Sequence, residues 1–381
     1  MKSGTTLGGE AGKRPDRRVP AALWHEQVAA LLLAFGMREA DAAGTADVLL
    51  AADLMGVDSH GASMLPLYAG QFAAGSAVPR PDIRVVQDAG ALGLIDAGGG
   101  LGHVPGTLAA DMAAERAGRH GIAAVAVRNS NHYGAAGVFA RRIAEQGLIG
   151  VSTSSVWTAA IVPTGGTRPR LGTNPFAFAA PTATRTEAGL EAGRPFLLDM
   201  ATSTEAIGKL RLAERAGRPI PEGWALTPEG APETDPARAL AQVERLLTPV
   251  GGHKGYGLAV MVEVLSSTLS GALQCPLRGE AGDVGDAGVA NDVGHFMLAL
   301  DPGVLRGSRE AFAEDLGRMV RALRETPPAD PADPVLVAGD PEHACEADRR
   351  ANGIPLPDPL AAQLRALAEE AGAPFVLGGT E

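Results

Sequence analysis

An α/β fold is predicted for this 381-residue chain by three features. Apolar runs of strand length alternate with segments of helical periodicity, the two are separated by glycine-marked junctions, and the composition supports a sizeable core. Hydrophobic residues make up 45% and charged residues 20%, which argues against disorder of the whole chain. The length suits two or three domains. Glycine is abundant, 50 of 381 residues, without a collagen period, so many tight turns and close backbone approaches are expected. Aromatics are only 4%, so the core must be built from Ala, Val and Leu.

Taken in order, Ala21–Phe35 and Glu39–Met55 carry apolar residues at helical spacing around Gly36 and read as a helical hairpin. Asp58-Ser59-His60-Gly61 opens a turn, and Ala91–Asp96 is a short apolar run before Gly98–Gly102. A helix follows over about Gly106–Arg119, then a buried strand over Gly121–Arg128, a helix over Gly134–Gln146 and a strand over Leu148–Thr153. Phe176–Ala180 and Pro195–Met200 read as strands, and Ser203–Arg215 as a helix. Pro219–Thr248 reads as a long surface connection. Gly257–Gly271 is an apolar helix, Gly279–Gly294 a polar loop and His295–Leu300 a strand. Two helices, about Pro341–Ala351 and Pro359–Ala371, close the chain.

The formal net charge of −11 argues against nucleic acid or an anionic membrane as the main partner, since both need a basic patch. No segment reads as membrane-spanning, because the apolar runs are short or interrupted, as by Glu263. Met1–Val19, polar and basic with no apolar stretch behind it, reads as a disordered tail and not a signal peptide. Cys275 and Cys345 form neither a zinc spacing nor a disulfide framework, and a cytoplasmic location is the simplest reading.

A dinucleotide fingerprint is the first motif to test. Gly100-x-Gly102-x-x-x-Gly106 has one residue too many for G-x-G-x-x-G, and the following strand ends in Arg128, not an acid. These glycines read as turn residues. Histidine is the better lead, because imidazole exchanges protons near neutral pH. His60, His132 and His253 each sit in a glycine-flanked junction, where a side chain can face a cleft while its neighbours stay rigid. His25, His120 and His343 read as solvated. No metal is expected, since none of the three junction histidines has a partner at ligand spacing.

Asp199 ends an apolar strand, where α/β proteins keep their ligand crevices; it is a candidate to orient a histidine or to accept a ribose hydroxyl. Lys254 is a candidate to hold a phosphate. The residues alone support an enzyme with histidine chemistry and do not name the reaction.

At these segments the chain resembles the malate/L-lactate dehydrogenase family of the second type, which is unrelated to Rossmann lactate dehydrogenases. The stretches that carry the likeness are GVDSHG (56–61), NSNHYGAAGVFARR (129–142), GTNPFAFAAP (172–181), FLLDMATS (196–203), GGHKGYGLA (251–259), NDVGHFMLALDP (291–302) and GDPEHACEADRRANGIPLP (339–357). The likeness implies a non-Rossmann mixed α/β fold with helical N- and C-terminal segments. It further implies an oxidoreductase that moves a hydride between NAD or NADP and a small 2-oxo or 2-hydroxy acid or related ketone. A reductase of cyclic imines and a non-catalytic binding subunit remain alternatives, as does a metal-dependent lyase or hydrolase.

By the same likeness His60 is the proton donor and His132 an acid–base or substrate contact, with Ser59 and Met64 beside the substrate. Asp199, Met200, Ala201, Lys254, Gly255, Gly339 and Asp340 fall on segments that touch the cofactor. Asp199 is expected to pair with His60 and raise its pKa. A homodimer is implied, with the active site near the subunit interface. The implied division is a tail over residues 1–19, a helical, substrate-side and dimerisation part over 20–120 with 295–381, and a cofactor-binding part over 121–294. Family members carry arginine four residues after the SHG histidine, where it grips the substrate carboxylate. Here that position is Met64, so either Arg141 or Arg142 takes over or the substrate lacks a carboxylate there.

Overall fold

The computed structural model describes residues 17–241, 245–280 and 291–378. Its centre is a sheet of seven strands: β1 (Arg84–Ala89), β2 (Leu92–Asp96), β3 (Ile122–Ser130), β4 (Ile149–Ser154), β5 (Phe176–Ala180), β6 (Phe196–Met200) and β7 (Val293–Leu300). The order is β1-β2-β3-β7-β4-β5-β6. Only β2 and β3 pair in parallel; every other neighbouring pair is antiparallel. The sheet is therefore mixed, and the all-parallel strand pattern of a Rossmann domain is not present.

The strand–helix–strand alternation read from the sequence is the β3–α5–β4 unit, where α5 is Ala136–Ala144; α1 (Ala21–Ala34), α2 (Glu39–Leu54), α3 (Leu65–Ala74) and α4 (His103–His120) precede it. β7 runs antiparallel to both β3 and β4 and fills the slot between them. The sheet thus crosses the boundaries expected at residues 120 and 295, since β1 and β2 lie before the first and β7 spans the second.

Small side chains set the layer spacing. Ala109, Ala110, Ala113 and Ala117 of α4 and Ala136 and Ala140 of α5 are buried with Val125, Val127, Ala177 and Met297 of the sheet. A Cβ at Gly150 of β4 would lie 2.5 Å from the carbonyl oxygen of Ala140, so α5 rests directly on the strand backbone. Gly121, with φ +81°, ends α4 in the left-handed conformation after Arg119 and His120 in its last turn.

The terminal segments build a second core. Trp24, Leu31, Leu49, Leu65 and Tyr68 are buried against Ile354, Leu356 and Leu364. The last of these belongs to the C-terminal helix Asp358–Ala371. Arg17–Val19, expected to belong to the tail, pair antiparallel with Ile354–Leu356; the remainder of that tail lies outside the described residues. The polar loop expected over Gly279–Gly294 lies largely outside them as well.

The stretch Pro219–Thr248 is more than a connection. It forms a two-residue strand pair (Ala225–Leu226 with Pro232–Glu233) and a short helix, Pro236–Ala241. Ile220, Ala225, Ala239 and Leu247 bury against Leu210 and Ala160, a small core that the scattered apolar residues conceal in the sequence. Among the described residues no helix is long and apolar enough to cross a membrane.

Candidate active site

His60 and His132 come together. Their rings stack with centroids 5.4 Å apart and planes at 29°. Each is half-buried. Two different scaffolds carry them, and each is built to hold one loop.

The His60 loop hangs from Asp53, in the last turn of α2. Its buried carboxylate oxygen Oδ2 accepts the Ala62 N–H at 2.9 Å and the Trp24 indole N–H at 2.7 Å. A Cβ at Gly61 would sit 1.8 Å from Asp53 Oδ1, so the histidine must be followed by glycine. On the far side Arg349 pairs with Asp58 (Nη2 to Oδ2, 3.1 Å) and donates to the Asp53 carbonyl at 2.5 Å. Arg349 lies in α7, which is Asp340–Asn352, following α6 (His253–Glu263). Burial pushes the Asp53 carboxyl up to about 7.

The His132 loop leaves β3 through Asn129, whose φ of +52° is held by its N–H bonding to Asp292 Oδ1 at 2.8 Å. The glycines at 98–102 cradle this loop: Asn131 Nδ2 donates to the Gly99 carbonyl at 2.9 Å, and Gly102 N–H to the His132 carbonyl at 2.9 Å. A Cβ at Gly102 would meet His295 Nε2, the Asn131 carbonyl and Tyr133 Cβ within 2.7 Å. These glycines serve close packing, as the turn reading expected. His295 is fully buried, stacked on Tyr133 at 4.4 Å and bonded to Ser130 and Ser154 hydroxyls at 2.9 and 2.8 Å.

Burial pushes the imidazoles of both His60 and His132 below the ordinary histidine value; for His132 the neighbouring His60 and His103 add to the effect. The Ser59 hydroxyl lies 2.9 Å from His60 Nδ1. His132 Nδ1 meets the Tyr68 hydroxyl at 2.8 Å, and the Trp157 ring stands nearly perpendicular to the imidazole, centroids 6.2 Å apart.

The expected Asp199–His60 pair is not formed. Asp199 Oδ2 accepts the Gly137 N–H at 2.8 Å and so caps the first turn of α5 from the neighbouring strand β6. Gly137 has no side chain for the same reason, since a Cβ there would lie 2.7 Å from that oxygen. Burial lifts the Asp199 carboxyl to about 6, and its charge is felt by the Tyr133 hydroxyl beside His132. The pKa of His60 accordingly moves down, opposite to the rise that such a pair would produce.

Of the three segments expected to touch a cofactor, two lie side by side and the third packs on the same strand. Val250 N–H donates to the Thr202 carbonyl at 3.0 Å and Thr204 N–H to the Thr248 carbonyl at 2.8 Å, which lays Asp199-Met200-Ala201 beside the start of α6. That helix begins at His253, earlier than the sequence predicted, because Gly252 adopts φ +67° and ψ −127°. Lys254 is exposed in its first turn and has no ion-pair partner among the described residues. A Cβ on Gly255 would lie 2.1 Å from the Val250 carbonyl. Gly339 packs beside Leu197 of β6, and its neighbour Asp340 is already paired with Arg324 at 2.5 Å.

Met64 is half-buried and packs against the helical core of the terminal segments. Both candidate arginines are engaged in ion pairs: Arg141 is paired with Glu346 at 2.6 Å and Glu145 at 2.7 Å, and Arg142 grips Asp111 at 2.6 and 2.9 Å. His343, expected to be solvated, is buried and bonded to the Pro195 carbonyl at 2.8 Å. Sequence reading passed over Asp53, Tyr68, His103, Trp157 and His295. Asp53 and Tyr68 lie on helices flanking the His60 motif, seven residues before and eight after it, which is the one local signal that marks them.

Residues 19–365 match the family described as malate/L-lactate dehydrogenase. The chain is 35% identical over 360 residues to malate dehydrogenase from Pyrococcus horikoshii, covering 93% of this chain and 96% of that one. Its fold superposes on the crystal structure of malate dehydrogenase from Entamoeba histolytica with a TM-score of 0.85 at 30% identity, covering 94% of this chain and 99% of that one. It also superposes on delta1-piperideine-2-carboxylate reductase from Pseudomonas syringae with a TM-score of 0.79 at 28% identity, covering 92% and 100%. The mixed sheet, the paired histidines and this likeness over nearly the whole length agree: the chain belongs to the malate/L-lactate dehydrogenase family and is an oxidoreductase.

Proposed function

We propose that this enzyme transfers a hydride between NAD or NADP and a small 2-oxo or 2-hydroxy acid, or a related ketone, with His60 moving the proton. The observation that carries the reading is the stack of His60 on His132, two imidazoles of lowered pKa whose Nε2 atoms make no hydrogen bond within the described chain. In the oxidising direction a neutral His60 is ready to accept the hydroxyl proton, and in the reducing direction it returns that proton to the new oxygen. The nicotinamide ring, when bound, supplies or accepts the hydride.

The donor set fits a dinucleotide. The glycine-led N-terminus of α6 offers backbone N–H groups, and Lys254, unpaired among the described residues, offers a point charge for a phosphate. Met200 and Ala201, at the end of β6, and Gly339, packed beside Leu197 of that strand, are the further groups we assign to the dinucleotide. Asp199 orders the start of α5 and, through it, the loop that bears His132.

A cyclic imine is the second reading. It is supported by Met64 in place of a carboxylate-gripping arginine, by the engagement of Arg141 and Arg142 elsewhere, and by the likeness to the Pseudomonas syringae reductase. A homodimer fits Leu258, Met261 and Val264, which expose an apolar stripe along α6 and the turn after it. A cytoplasmic location fits the two unpaired cysteines. The deciding experiment is a panel of 2-oxo acids, cyclic imines and uncharged ketones assayed with NADH and NADPH. Turnover of a 2-oxo acid supports the first reading, turnover confined to a cyclic imine supports the second, and no turnover with either cofactor overturns both.

A further inference from the structure

Behind His132 lies a buried chain of polar groups whose donors and acceptors can be assigned by elimination. The Gly134 N–H points at His132 Nδ1 from 3.3 Å. An amide N–H can only donate, so Nδ1 carries a lone pair and no proton. The Tyr68 hydroxyl, 2.8 Å from the same nitrogen, must then donate to it as well. That leaves the Tyr68 oxygen as an acceptor, and the group facing it is His103 Nε2 at 3.3 Å.

The far end of the chain agrees. His103 Nδ1 is buried and has no hydrogen-bond partner among the described residues. A buried orphan N–H is rarer and costlier than an orphan lone pair, so the proton of His103 sits on Nε2, where it has Tyr68 to donate to. One tautomer assignment therefore satisfies all three side chains: Nε2–H on His103, O–H from Tyr68 to His132, and Nε2–H on His132.

The chain is rigid. Tyr68 and His103 are both fully buried, and their rings meet edge to face with centroids 5.4 Å apart. Gly134, at φ +86°, brings its N–H in where any side chain would crowd His103, whose ring atoms lie 3.4 Å from the site of a Cβ. Burial holds His103 neutral, its pKa lowered to about 3, so it acts as a fixed dipole and not as a proton store.

We propose that Tyr68 and His103 are positioning residues that hold His132 in its Nε2–H tautomer, so that His132 meets the substrate as a neutral hydrogen-bond donor to the reacting oxygen or nitrogen. The proposal rests on the hydride-transfer reading above and divides the labour within it. His60 takes or gives the proton, while His132 polarises the C=O or C=N bond and steadies the charge that develops there. A neutral imidazole donor suits this task because it need not change its own protonation during the step.

The test reads the tautomer directly. In protein labelled with 15N-histidine, proton–nitrogen correlation spectra separate a protonated ring nitrogen from a bare one, and His132→Asn assigns the signals. In the wild type His132 should show a protonated Nε2 and a bare Nδ1; a protonated Nδ1 overturns the proposal. Tyr68→Phe keeps the ring and removes the shorter of the two donors to Nδ1, leaving only the long Gly134 contact at 3.3 Å, so the His132 signals should move towards a mixture of tautomers, with kcat falling about tenfold. An unchanged tautomer with unchanged kcat also overturns it. His103→Gln, which retains an N–H, should stay close to the wild type, whereas His103→Leu should behave like Tyr68→Phe; thermal melts confirm that each variant is folded. An enzyme silent towards the whole substrate panel would sink the reaction proposed above while leaving the tautomer result intact, so the two failures are separable.

Discussion

His60 and His132 are brought to a stacking distance of 5.4 Å by two loops that share no strand or helix. The first is slung from α2 by Asp53, and the second is cradled by the glycines between β2 and α4. Each loop can therefore be perturbed without unfolding the other, and this separation makes the site testable.

His60→Ala should lower turnover at least about a hundredfold while NADH or NADPH still binds, as followed by cofactor fluorescence. Because burial depresses the His60 pKa, the base form persists below the usual histidine range. The acid limb of the oxidation profile should accordingly fall below pH ~6.5. Wild-type turnover in the alanine variant would remove His60 from the chemistry.

Asp53 carries a stability signature with a definite sign. Its folded pKa is about 7 against an ordinary value of 3.8, so between those values the folded state holds a proton that the unfolded chain has lost. Its contribution is complete below the lower value and is lost as pH rises through the upper one. Buried His103 and His295, each lowered to about 3, act oppositely: their contribution is lost as pH falls from the usual histidine range. The difference between Asp53→Asn and wild type isolates the carboxyl. The Tm of the variant minus that of the wild type should climb between pH ~4 and ~7 and level off above, and a flat difference across that range would show that Asp53 does not titrate there.

Gly61→Ala drives a methyl group into Asp53, since the Cβ site lies 1.8 Å from its oxygen. The loop must move to accept it. We expect a loss of about 1–3 kcal/mol in stability together with a fall in kcat, checked by denaturant melts and steady-state kinetics. An alanine variant with native stability and rate would mean that the loop is not held as described.

Arg142→Ala should leave KM unchanged for every substrate in the panel, because its guanidinium is committed to Asp111 on an exposed helix face. The stability change should stay within about 1 kcal/mol. A rise in KM would restore Arg142 as a substrate contact.

Leu258→Glu combined with Met261→Glu places two charges on the apolar stripe of α6. If that stripe joins two copies, sedimentation should show the wild type as a dimer and the double variant as a monomer. A monomeric wild type would end the homodimer proposal.

The reach of the sequence had physical limits. Strand-length apolar runs at β3, β4, β5 and β6 were legible, because burial on both faces leaves a continuous hydrophobic signal. β1 was not, since all six of its residues are exposed at the sheet edge. The histidine pair was legible as two glycine-flanked motifs, but the partner of Asp199 was not. Its choice of Gly137 over His60 is decided by how closely β6 approaches α5, which no local pattern encodes. Tyr68 and His103 were hidden for a similar reason, each reading as an ordinary residue of a helix.

The placement of β7 bears on how the protein is made. On the ribosome, β3 and β4 emerge early with α5 between them, yet the lane separating them stays vacant until residues 293–300 arrive. Until then two inner strand edges remain open, with backbone groups free to pair with any other extended chain. The nascent protein must therefore shelter a split sheet from the completion of β4 until β7 arrives, and closure of that gap, a contact of long sequence separation, is the step on which its folding rate should depend.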